Sequence, residues 1–146
     1  MKPESDPLSP DEMLIRLVYR DRFTNRVPII SPGSFEPRVK GNHPDTDGIS
    51  LFRQDCLNDP EDALGVIAPD KRPATGIVLV PVGLLGTLNL TAVAKPIPQV
   101  PGHVVIPELN STDYATRPSD FTHIKLALAV AASHNIVRRP LAAPPT

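Results

Sequence analysis

His43, Asp45, Asp47 and Gly48 fall within six residues, HPDTDG. Imidazole and carboxylate donors at alternate positions are raw material for a metal loop or for acid–base chemistry. A calcium loop of EF-hand type needs D-x-[DN]-x-[DN]-G and an acid at its twelfth position. With Gly48 on the required glycine, Asp45 and Asp47 take positions three and five, but His43 falls at one and Gln54 at twelve. Neither can supply the missing carboxylate. A small hydrolase or metal-dependent enzyme would instead use His43, Asp45 and Asp47, with His103 as a distant partner. The competing reading is a turn, in which Pro44 sets φ, the aspartates bond local backbone and Gly48 permits a positive φ. The turn is preferred.

Other chemistries find less. Nucleophilic catalysis needs a serine or cysteine activated by a base, and PGSFEP lacks the frame of a G-x-S-x-G elbow. The single cysteine, Cys56, reads as a small core residue and excludes an internal disulfide or a multi-cysteine zinc site. In HVVIPEL, strand alternation sends His103 and Glu108 to opposite faces. His123 and His134 sit at different ends of one helical stretch. Gly83 and Gly86 are followed by no lysine, so there is no phosphate loop. The sequence therefore points to no catalytic residue, no metal and no cofactor.

Charge is more informative. The net charge is −1, so no global field draws the chain to nucleic acid or an anionic membrane. Yet residues 14–40 carry Arg16, Arg20, Arg22, Arg26, Arg38 and Lys40 against Asp21 and Glu36, and residues 41–70 carry seven acids against Arg53. The expectation is that these halves neutralise each other across the fold. The alternative is two patches of opposite sign that recognise a partner through Arg16, Arg20, Arg22, Arg26, Asp45 and Asp47. Nucleic-acid binding through Arg16–Arg26 is a weaker alternative, because the basic residues lack interleaved aromatics.

The elements that must position these groups are short. Nineteen prolines in 146 residues far exceed the usual share of about 5%, and each removes a backbone donor. SPDE, residues 9–12, carries a capping box with Pro10 at the first helical position. With Met13, Leu14, Leu17 and Val18 behind it, this predicts a helix from Pro10 to Arg20. NDPEDALGVIA predicts a second short helix, Pro60 to Ile67, capped by Asp59. Residues 49–53, 76–81, 88–94 and 103–109 read as strands, and VGLLGTLNL as one helical turn. The last helix is expected over Ser119–Ser133, its apolar face formed by Phe121, Ile124, Leu128 and Ala131 and widened by Leu126, Ala127 and Val130. Residues 1–8 read as a mobile lead-in, 9–137 as the domain and 138–146 as a disordered Pro/Ala tail. No apolar run of membrane length is present, and MKPESDPLSPDE has no apolar signal region. A cytoplasmic setting follows.

Two stretches taken together, LIRLVYRDRF…SFEPRVKGNHPDTDGISLFRQD and GHVVIPEL, resemble small bacterial proteins of no assigned activity. In that family a basic segment leads to an S-x-x-F-x-P element, then a D-G-[IL]-S strand, then a late strand opened by histidine. The resemblance spans residues 14–109 and implies a bacterial cytoplasmic protein with no catalytic assignment. The expected fold is one α+β domain, a small, mostly antiparallel sheet packed against an N-terminal and a C-terminal helix. The expected function is non-enzymatic. It is that of an accessory or protein-interaction subunit, such as the neutralising (immunity-type) component of a bacterial toxin or defence system, with a protein partner.

Overall fold

The computed structural model describes residues 1–141. It is an α+β fold built on one six-stranded antiparallel sheet. The strands are β1 (Met13–Tyr19), β2 (Ile49–Arg53), β3 (Thr75–Pro81), β4 (Val93–Ala94), β5 (His103–Ile106) and β6 (Ile136–Arg138). Their order across the sheet is β4-β5-β2-β1-β3-β6. The α-helices are α1 (Val82–Thr87), α2 (Ser111–Thr116) and α3 (Thr122–Ser133).

The expected N-terminal helix is instead β1, beside the middle of the sheet. The SPDE signal is real but stops at a single turn. Glu12 N–H donates to the Ser9 carbonyl, and the Glu12 carboxylate takes Ser9 N–H back. Beyond it, all seven residues of β1 pair with β3, from Met13↔Pro81 to Tyr19↔Thr75. A strand covered on both faces shows no alternation, and its apolar run reads equally well as a helix. Here Leu14 and Val18 enter the core beneath α3, while Ile15 and Leu17 face a second core containing Phe52, Ala63, Leu64 and Leu79.

Proline sets the character of that second layer. Pro60 and Pro69 each open a 3-10 segment, Pro60–Val66 and Pro69–Ala74, because proline's fixed φ suits the first position and its missing N–H is not needed there. Asp59 caps the first, as its sequence foretold, and Asp62 completes a capping box with it, although the turns are 3-10 rather than α. Pro118 likewise opens the 3-10 turn, Pro118–Phe121, that runs into α3.

Strand 49–53 is found as expected. Strands 76–81 and 103–109 are found with β5 ending at Ile106, before Pro107. The 88–94 segment shrinks to Val93–Ala94, because Leu88 closes α1 and Leu90 turns into the core. On α3, Leu128, Ala129 and Ala132 are buried, but Leu126 and Val130, expected to widen the apolar face, are exposed. Residues 1–8 are fastened rather than loose: Lys2 N–H bonds the Asp55 carbonyl, and Arg53 collects the carbonyls of Glu4, Asp6 and Pro7. Of the expected tail, Arg138 lies in β6 and Leu141 N–H bonds the Pro73 carbonyl. Its remainder, 142–146, lies outside the described residues.

Candidate functional site

HPDTDG is a turn. Gly48 has φ +115°, and a Cβ there would collide with the Ile106 carbonyl oxygen, so glycine is required where the chain enters β2. Asp45 ties off the loop before it. Its carboxylate takes Arg38 N–H at 2.7 Å and faces the Arg38 guanidinium at 3.4 Å, while its own N–H returns to the Arg38 carbonyl. Asp47 pairs with Lys95. His43 is exposed. Among the described residues, no group of three or more His, Cys, Asp or Glu could hold a metal ion. The proposed His43, Asp45 and Asp47 constellation therefore does not assemble.

Cys56 is buried, and burial raises its thiol pKa. That is the wrong direction for a nucleophile, which needs the thiolate. Glu108 faces Thr91, accepting from its N–H at 2.8 Å and its hydroxyl at 2.7 Å, and does not act on His103.

His103 is buried, its ring centroid 5.2 Å from that of Phe52. Its Nδ1 lies 2.6 Å from the Lys95 carbonyl. A carbonyl can only accept, so Nδ1–H is the donor.

Arg16 is the group whose place the sequence does not foretell. The ladder between β1 and β2 lasts two registers, Leu14↔Arg53 and Ile15↔Phe52. Past it the strands part, and the Arg16 guanidinium bridges the gap. Nε donates to the Ser34 carbonyl at 3.0 Å and Nη1 to the Ser50 carbonyl at 2.9 Å. Among the described residues it has no carboxylate in ion-pair range. Burial pushes its pKa down to about 10; Asp45 opposes this and Arg38 adds to it. It still carries a full charge at neutral pH.

Beside Arg16 lies a cleft of about 560 Å³, lined also by Lys71, His103, Arg38 and Asp45, with Leu17, Phe52, Ile67 and Ile97 among its apolar walls. This volume is within the range of small-molecule sites.

No family model, no curated protein and no solved structure matches this chain. The function must be read from the geometry.

The second feature is an arm, residues 22–31. Its base is riveted. Phe23 and Ile30 form a β-bridge, Phe23 packs against Gly76, where no side chain would fit, and Ile30 is fully buried with its N–H on the Ser133 hydroxyl. Its end is tightened by Thr24, whose hydroxyl lies near the Pro28 and Ile29 carbonyls and accepts Arg26 N–H. At the tip Val27 is 96% exposed. Arg22 lies against Gly33, and Arg20 sits 5.5 Å over the Tyr19 ring.

The expected neutralisation between the two halves of the sequence occurs by direct pairing at one point only. Among the described ion pairs, only Arg38–Asp45 joins residues 14–40 to residues 41–70. Asp47, Asp55 and Glu61 take Lys95, Lys2 and Arg138 instead. Arg20, Arg22 and Arg26 pair with no carboxylate among the described residues. Of the six expected partner-binding residues, these three have no carboxylate in ion-pair range among the described residues, Arg16 turns inward, Asp45 is tied to Arg38 and Asp47 pairs with Lys95. No described helix is long and apolar enough to cross a membrane.

Proposed function

We propose that this chain is a non-enzymatic recognition protein that docks the arm at residues 22–31 onto an acidic surface of a protein partner. The observation that carries the reading is the tip itself. Val27 is 96% exposed beside Arg26, with Arg20 and Arg22 below it and no acid paired to any of the three. An exposed apolar residue on a segment that carries unpaired arginines suits an interface, where arginine and a desolvated apolar centre are enriched. The riveted base supports the reading further, because a preorganised loop loses little entropy on binding. The unpaired positive charge would speed encounter with an acidic patch. An accessory or neutralising subunit, as in a toxin or defence locus, works in this way: it covers a partner surface and carries no chemistry of its own.

The test is retention of a protein from the native host on the immobilised chain. The partner should be held by the wild type and by Arg117→Glu, and lost by the triple variant Arg20→Glu, Arg22→Glu, Arg26→Glu and by Val27→Asp. Retention should weaken as salt rises. A partner held equally by all variants, or a solitary monomer with measurable turnover, would sink the proposal.

A further inference from the structure

We infer that the cleft beside Arg16 binds a small molecule that carries one carboxylate on an apolar body. This goes beyond the docking of the arm and does not depend on it. Three observations meet in the cleft. Arg16 brings a cation into it with no carboxylate in ion-pair range, and with Nε and Nη1 committed to backbone carbonyls, Nη2 alone has no protein partner among the described residues. Lys71 lines the same space, and its amine is likewise unpaired. Arg38, the other lining base, is matched by Asp45. The uncompensated charge is therefore two cations facing an open volume. A carboxylate is the natural complement to one free guanidinium nitrogen and one ammonium.

The rest of the wall decides against a bare phosphate. Leu17, Phe52, Ile67 and Ile97 contribute apolar surface, and stripping water from a doubly charged ion against such a wall is costly. An aliphatic or aromatic body removes that wall from water, which is favourable in proportion to the area covered.

The probe is phenylacetate, titrated into the full chain and followed by amide and arginine side-chain NMR shifts. It should give saturable shifts at Leu17, Ser50, Lys71 and the Arg16 Nε–H. Phenylacetamide, which keeps the body and loses the charge, should bind about tenfold more weakly. Acetate and inorganic phosphate should not saturate over the same range. Lys71 is exposed, so Lys71→Glu leaves the fold intact and should abolish phenylacetate binding. The same variant should leave the arm's partner retained, which separates this site from the docking surface. Equal affinity for acid and amide, phosphate binding as tight as phenylacetate, shifts confined to residues 20–30, or no saturable shift would each overturn the inference.

Discussion

Glu12 and Arg53 form an ion pair sealed against the sheet. Arg53 Nε donates to Glu12 Oε1 at 2.6 Å and Nη2 to Oε2 at 3.0 Å, with both side chains almost wholly buried. The remaining guanidinium capacity goes to the carbonyls of residues 4, 6 and 7. One side chain thus joins β2, the entry to β1 and the N-terminal segment. Removing one partner leaves a buried charge unmatched. Arg53→Met should destabilise by about 3–5 kcal/mol, and Glu12→Gln by less, because the amide still accepts. Urea unfolding checks the magnitude. Hydrogen exchange should show residues 2–7 losing protection in Arg53→Met before the sheet does.

The same pair sets an acid limit. Burial pushes the Glu12 pKa up, but the Arg53 and Ser9 hydrogen bonds and the Arg53 and Lys2 charges outweigh it and hold it below the ordinary 4.5. Glu36 is lowered in the same manner: burial raises it, and the Lys125 and Tyr114 hydrogen bonds with the Lys125 and Arg22 charges more than offset this. A carboxyl depressed in the fold contributes stability that is present above its unfolded pKa and lost as pH falls through its folded pKa. Stability should therefore decline as pH drops below about 4.5, and the decline should flatten in a Glu12→Gln, Glu36→Gln variant. Melting temperature between pH 6 and pH 3 reads this directly.

Gly48 tests the turn reading of HPDTDG. Alanine there meets both a positive φ and the Ile106 carbonyl. Gly48→Ala should cost about 2–3 kcal/mol. Asp47→Asn, which loses only an exposed ion pair, should change stability by less than about 1 kcal/mol. Chemical denaturation separates the two. A metal loop would reverse their importance in a metal-binding assay.

The register of α3 is open to a paired test. Leu128 is fully buried and Leu126 is 46% exposed. Leu128→Ala should cost about 2–5 kcal/mol, and Leu126→Ala should stay within about 0.5 kcal/mol.

Cys56 should behave as a buried thiol. Alkylation by iodoacetamide in native buffer should be far slower than in urea, because both exposure and thiolate fraction are low. Rapid native labelling would reopen the case for a reactive cysteine.

Much of the fold was legible where local chemistry and tertiary context agree. GIVLVP is apolar and rich in β-branched residues, and it is a strand. Asp59 and Pro60 announce a turn that forms. The misreading at Met13–Tyr19 has a physical origin. Its start signal is local and is satisfied by one turn, but its partner is β3, which lies far along the chain. Propensity at SPDE loses to a seven-register ladder that no window on the sequence contains. Candidate sites fared similarly. The failure of the calcium alignment could be counted residue by residue. That Arg16 would turn inward while Arg20, Arg22 and Arg26 stay out could not, because it depends on β1 and β2 parting after two registers. Arg53 gave a faint signal as the lone base in an acidic stretch, but nothing in its neighbours pointed to Glu12.

The strand order carries a cost in time. Met13 pairs with Pro81, Leu14 with Arg53 and Ile49 with Ile106, so nearly every ladder must close a long loop before it gains a contact. Only β4 and β5 lie close enough in sequence to meet early. Such topologies fold slowly. During synthesis β1, apolar along one face and broken only by Arg16 on the other, waits for β3, its principal neighbour, until Pro81 has been made. The charges on either side of it, Glu12 before and Arg20 to Arg26 after, flank that waiting strand as gatekeepers against self-association.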